Sequence, residues 1–195
     1  MPKLLYQGNG SCRLTADDGR VIYLDPYAGE GYDLPADLIL VTHQHHDHNQ
    51  VHRCTQKQTC RIITNVEALE GGRHNRFELD GIIIQAAEAR NRMHSPKKCV
   101  GYLITLNGTK LYASGDTSKT AQMADFAALE LDYALFPGDG VFNMGPRGAA
   151  ACARLCGARH NILIHVNPFL SHRKIAEKWT APNKLTLLAG EEIAL

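Results

Sequence analysis

This 195-residue chain lacks a bias of charge: Lys plus Arg is 21, Asp plus Glu is 20, and the formal net charge is +1. A surface that binds nucleic acid through bulk positive charge is therefore not expected. Long apolar runs are missing too, and none approaches the ~20 residues that span a bilayer. The first seven residues, Met1 to Gln7, hold no apolar segment of the secretory kind, so a cytoplasmic location is the expectation. The six cysteines, at 12, 54, 60, 99, 152 and 156, form no Cys-x-x-Cys pair, which leaves reduced and mostly buried thiols rather than a zinc ribbon or a redox motif. Low-complexity stretches, linkers and fixed-period repeats are absent. So are Gly-x-Gly-x-x-Gly, a phosphate loop, His-Glu-x-x-His and Gly-x-Ser-x-Gly.

What is present is a single domain over 1–195, rich in short apolar runs. Strands are expected at 20–24, 37–42, 61–64, 81–86, 100–106, 110–113, 133–136, 161–165, 185–188 and 193–195. Asn107-Gly108 marks a hairpin. Helices are expected over 146–156 (Pro146 first, Gly157 after the end), 171–179 with Ser171 as N-cap, 118–129 and, more briefly, 46–54. Strands interspersed with helices indicate an α/β architecture with helices covering a sheet core.

The chemistry lies in Thr42-His43-Gln44-His45-His46-Asp47-His48, directly after an apolar strand. In extended backbone, residues two apart share a side, so His43 and His45 can converge on one ion. Asp47 and His48 can then present a carboxylate and an imidazole to a second ion, with His46 facing away. Such nitrogen and oxygen donors suit zinc first, with manganese or iron as alternatives. Four residues cannot enclose two ions, so more ligands are expected at later strand ends. His94, Asp116 and His165 each follow a strand.

The run His43-x-His45-x-Asp47-His48, followed by His94, Ser114-Gly115-Asp116-Thr117 and His165, resembles the metal motifs of the metallo-β-lactamase superfamily. Cys99-Val100-Gly101-Tyr102 and Phe142-Asn143-Met144 make it similar to the small ascorbate-phosphate lactonase-like group. The resemblance implies an αββα sandwich, two mixed sheets packed face to face with helices outside. It implies His43, His45 and His94 on one ion, Asp47, His48 and His165 on the other, and Asp116 between them. Asp25, in Asp25-Pro26, would orient a ligand imidazole.

It also implies a binuclear hydrolase in which a metal-bound hydroxide attacks an ester, lactone or phosphoester, with Asp47 carrying the proton. With Asp116 in place, antibiotic hydrolysis is not expected. Only 30 residues follow His165, too few for the helical domain of glyoxalase II-like members. The chain departs from the group at Asn9, Arg90 and Asn143, all near the expected pocket. Arg90, Arg92, Lys97 and Lys98 flank His94, so a small anionic metabolite is the expected partner, held by Arg90, Arg92 and Asn143. A nucleotide or nucleic-acid phosphodiesterase and a non-catalytic metal-binding sensor on the same scaffold are the alternatives, and a homo-oligomer is left open.

Overall fold

The computed structural model describes residues 1–167 and 169–195. Its thirteen strands begin with β1 (Lys3–Gly8), β2 (Ser11–Thr15), β3 (Val21–Leu24), β4 (Ala36–Leu40), β5 (Gln56–Ile63), β6 (Arg76–Leu79) and β7 (Ile82–Glu88). They continue with β8 (Val100–Leu106), β9 (Thr109–Ala113), β10 (Tyr133–Pro137), β11 (His160–Ile164), β12 (Lys184–Leu185) and β13 (Glu192–Ala194). One sheet has the order β13-β1-β2-β3-β4-β5, the other β12-β11-β10-β9-β8-β7-β6. Each begins as an antiparallel meander and turns parallel: β3, β4 and β5 in the first, β9, β10, β11 and β12 in the second.

The core follows from period-2 alternation. Ile22, Leu24, Leu38 and Leu40 of the first sheet face Ile84, Tyr102, Ile104 and Leu111 of the second, all buried. Tyr102 crosses this layer and donates its hydroxyl to the Val41 carbonyl at 3.0 Å, so a polar tip in the core is satisfied.

The helices are α1 (Asn65–Ala68), α2 (Pro146–Cys156) and α3 (His172–Lys178). α2 opens on Pro146 and closes where Gly157 turns left-handed at φ 66° and donates to Ala153 O. Its small residues Ala149, Ala150, Cys152 and Ala153 pack against Ala134, Phe136 and Leu163 on the outside of the second sheet. Ser171 caps α3 by accepting from Lys174 N. The outer face of the first sheet has a different cover. Tyr23, Ile39 and Val41 lie under Tyr32, Leu34, Val51 and Cys54, which come from loops and a single 3₁₀ turn.

Three expected elements differ. The helix over 118–129 is a 3₁₀ stretch at Gln122–Leu129, whose buried Met123 and Phe126 are three apart and so align on one face. The helix over 46–54 shrinks to Val51–Arg53. A turn from His48 N to His45 O at 3.0 Å bends the chain between them instead. The strand over 185–188 pairs only through Leu185, although Leu187 is buried in the core. The cysteines carry no disulfide, and all but Cys60 are buried. No helix among the described residues is long and apolar enough to cross a membrane.

Leu38 is 1% exposed and Ile62 38% exposed. Leu38→Ala is expected to lower unfolding free energy by about 3 kcal/mol and Ile62→Ala by less than about 1 kcal/mol, read from urea denaturation midpoints.

Candidate metal centre

Parallel strands deliver their carboxyl ends to one edge, and loops leaving there meet. Asp25 follows β3, Thr42 to His48 follow β4, Asp116 follows β9 and His165 follows β11. The longer loop after β7 brings His94. Two of these positions need unusual backbone: Asp25 has φ 45° and His165 φ 47°. Left-handed backbone is uncommon for side chains other than glycine, and Asp and His tolerate it better than most. His165 is held there by its N–H donating to Asn9 O at 2.9 Å. Gly115, before Asp116, has φ 62°, and a Cβ on it would lie 2.6 Å from Val100 O.

His43, His45 and His94 offer ligand atoms within 4.8 Å of one another, and so do Asp47, His48 and His165. His43, His48 and Asp116 form a third such group between them. One Asp116 oxygen lies 3.4 Å from His94 Nε2, and the other lies 3.5 Å from His48 Nε2 and 3.6 Å from His165 Nε2. Asp47 Oδ2 is 3.7 Å from His48 Nε2 and 3.6 Å from His165 Nε2. These spacings are longer than most hydrogen bonds. They match the roughly 3.4 Å expected between donors that share a tetrahedral zinc at about 2.1 Å. Nε2 of His43, His48 and His165 is buried and has no hydrogen-bond partner. Buried polar atoms without partners are costly, and a cation is what a converging set of lone pairs and carboxylates can take. The residues fit divalent metal ions.

The other imidazole nitrogen of each buried histidine is tied down. Asp25 accepts from Thr42 N at 2.7 Å and from Thr42 Oγ1 at 2.7 Å, and its Oδ2 lies 2.8 Å from His48 Nδ1. Because the single hydroxyl proton of Thr42 goes to Asp25, Thr42 Oγ1 accepts from His43 Nδ1 at 3.1 Å. His94 Nδ1 lies 2.9 Å from Asn91 Oδ1, which also accepts from Met93 N and His94 N. His165 Nδ1 lies 3.4 Å from Asp139 Oδ2. Protons placed at Nδ1 leave Nε2 lone pairs facing the centre. Thr42, Asn91 and Asp139 were not singled out in the sequence. Asp139 follows β10 in Gly138-Asp139-Gly140, a position after a strand end like that of Asp116.

All seven residues of the expected ligand set meet at this edge, and Asp25 touches His48. His46 is exposed and bonds Gln50. The residues expected to hold substrate have other partners within the protein. Arg90 Nε pairs with Glu88 Oε1 at 3.1 Å, and neither Arg90 nor Arg92 lines the clefts beside the centre. Asn143 uses both ends of its carboxamide inside the protein. Its Nδ2 donates to Asp139 Oδ2 at 2.8 Å and its Oδ1 accepts from Asn91 Nδ2 at 2.8 Å. Asn143 thus ties the loop of His94 to the residue behind His165, and the second N–H of its carboxamide is directed to Asp116. Asn9 gains a clear partner, donating to Asp47 Oδ2 at 3.1 Å.

Burial pushes His43 down to about 3, helped by the charge on His48. His48 moves the other way. Burial opposes its charge, but the carboxylates of Asp25, Asp116 and Asp47 outweigh it and push it up to about 9. Asp47 lies well below the usual carboxylate range, because His165, His48 and Asn9 overcome the effect of its burial. The buried thiols are pushed upward, Cys54 and Cys156 to about 12, and are poor nucleophiles.

An ion must displace the proton on His48. Metal affinity should therefore rise by about tenfold per pH unit toward pH 9 and level off above it, with proton release seen by calorimetry in buffers of different ionisation enthalpy. In the metal-free protein the sign is reversed. The stability that His48 contributes is full below its ordinary 6.5 and is lost as pH rises through about 9. Asp25→Asn should weaken metal binding by about ten- to a hundredfold in a competition titration with a chelator.

A family model described as a beta-lactamase superfamily domain matches residues 3–181. A UPF0173 metal-dependent hydrolase of Nitratidesulfovibrio vulgaris is 31% identical over 195 residues, covering 86% of this chain and 81% of that protein. One from Thermococcus kodakarensis is 29% identical over 185 residues, covering 81% and 82%. Among solved structures, a metallo hydrolase from the archaeon Ignicoccus hospitalis has the same fold, with a TM-score of 0.76 at 21% identity over 98% of this chain and 97% of that one. With a family match that takes in every one of the converging histidines and aspartates, this chain belongs to the metallo-β-lactamase superfamily.

Proposed function

We propose that this chain is a binuclear metal-dependent hydrolase acting on an ester, lactone or phosphoester of a small anionic metabolite. The observation that carries this is the pair of three-residue groups sharing Asp116, with three buried Nε2 atoms unpartnered between them. His43, His45 and His94 would hold one ion, Asp47, His48 and His165 the other, and Asp116 both. Zinc is the first candidate from the donor set, with manganese or iron as alternatives. When bound, a pair of divalent ions supplies a Lewis acid for the carbonyl or phosphoryl oxygen and brings the pKa of water from 15.7 toward about 7.

The chain's own residues supply the rest. Asp47 is half-buried and opens on solvent. With Oδ2 facing the His48 and His165 nitrogens and steadied by Asn9, the other oxygen of the carboxylate can take a proton from the attacking water and pass it to the departing oxygen. Thr42, Asp25, Asn91 and Asp139 fix the imidazole orientations, so no reorganisation is needed as charge develops. The buried, high-pKa thiols are set aside as nucleophiles. Six free cysteines support a place in the reducing cytoplasm.

Elemental analysis of the purified protein should give two divalent ions per chain. Turnover on a panel of lactones and phosphoesters should vanish on chelation and return with zinc. Undiminished turnover by fully metal-free protein would overturn the proposal. Asp47→Ala should lower kcat by at least about a hundredfold.

A further inference from the structure

Two large clefts among the described residues are lined by different histidines of the centre, and their walls differ in charge. The first, of about 710 Å³, has His43, His45 and His94 at its base and Lys97 and Lys98 in its wall, and no carboxylate lines it. The second, of about 660 Å³, has Asp47, Asp139 and His165 at its base and Tyr27, Val141 and Phe142 in its wall, and neither Lys nor Arg lines it. Val141 is 64% and Phe142 60% exposed. Asp139 Oδ1 accepts from the backbone N–H of both, at 2.6 and 2.7 Å, so the apolar pair is held in place at the mouth of the centre. Exposed apolar side chains fixed beside a reactive centre gain by being covered with apolar substrate. Asp47 and Asp139 repel an anion from that side, while Lys97 and Lys98 attract one to the other.

We propose that the centre takes its substrate in one orientation, with an anionic group of the acid portion against Lys97 and Lys98 and an uncharged, apolar leaving group against Val141 and Phe142. This rests on the hydrolase reading and gives it a substrate class, the apolar ester of an acid that carries another anionic group. Asp47 lies in the apolar cleft, so the departing group is on the side of the proton carrier. In the step, the oxygen of water bonds to the acyl carbon and the bond to the alcohol oxygen breaks. One proton of the water passes by way of Asp47 to that oxygen, and the other is released to solvent as the new carboxyl group ionises. The products are a dianionic acid on the lysine side and a neutral alcohol on the Phe142 side.

Monoalkyl succinates of increasing chain length have this polarity, and O-acyl glycolates have the reverse. With metal-loaded protein, kcat/KM on the succinates should rise about two- to fourfold per methylene of the alcohol. Phe142→Ala should flatten that slope. The double variant Lys97→Ala, Lys98→Ala should keep the slope and reduce the preference for monobutyl succinate over butyl butyrate about fivefold. Faster turnover of O-acyl glycolates, or a slope untouched by Phe142→Ala, would overturn the orientation. Calorimetric binding of non-hydrolysable N-alkyl succinamates to the same protein separates the two readings. Affinity that rises with chain length in the wild type and not in Phe142→Ala supports the orientation even if no ester is turned over, and affinity independent of chain length refutes it.

Discussion

Imidazole lone pairs that are buried, converge, and meet no donor are the constraint on which this structure turns. His43, His48 and His165 each point Nε2 inward without a partner. Their Nδ1 atoms are held from behind by Thr42, Asp25 and Asp139. A histidine cluster that served only packing would bond one nitrogen and expose the other to water. Here the second nitrogen is buried instead, and the carboxylates of Asp47 and Asp116 lie among the same atoms. In the metal-free protein the carboxylates of Asp25, Asp116 and Asp47 favour a proton on His48, while burial, with the charge on His48 behind it, disfavours one on His43.

The fold meets this constraint by spending its irregular backbone at one edge. Two mixed sheets give the core its strength through ordinary alternation, and their parallel halves direct β3, β4, β9, β10 and β11 toward the same rim. Asp25 and His165 then adopt left-handed backbone. Strain of that kind persists only where surrounding bonds determine it. Asp25 is held by three contacts from Thr42 and His48, and His165 by Asn9. Asn143 joins the two halves of the centre by bridging Asn91, which bonds His94, and Asp139, which lies 3.4 Å from His165 Nδ1.

Much of this was legible in the residues. The apolar runs of β4 and β8, the Asn107-Gly108 turn and the Pro146 and Gly157 boundaries of α2 are local signals, and the structure agrees with them. The N-terminal hairpin of β1 and β2 was not legible. Tyr6, Gln7 and Arg13 interrupt its alternation, although both Tyr6 and Gln7 are buried, the Tyr6 backbone bonding Gly190 and Glu191 and Gln7 Nε2 donating to Glu30 O. The seven ligand-type residues could be found because metal chemistry restricts which side chains occur at strand ends. The substrate contacts could not, since proximity to His94 in sequence does not fix where a long side chain points. Glu88 takes Arg90, and two internal partners take Asn143. Asn9 was visible only as a departure from the family pattern, and its bond to Asp47 needs a contact across 38 residues.

The most direct measurement is anomalous X-ray diffraction from crystals of the protein as purified, collected on either side of the absorption edge of the metal it contains. The account predicts two adjacent peaks, one among His43, His45 and His94 and one among Asp47, His48 and His165, with Asp116 reaching both. A map with no peak at this edge of the sheets, or with ions bound only elsewhere on the chain, would contradict it.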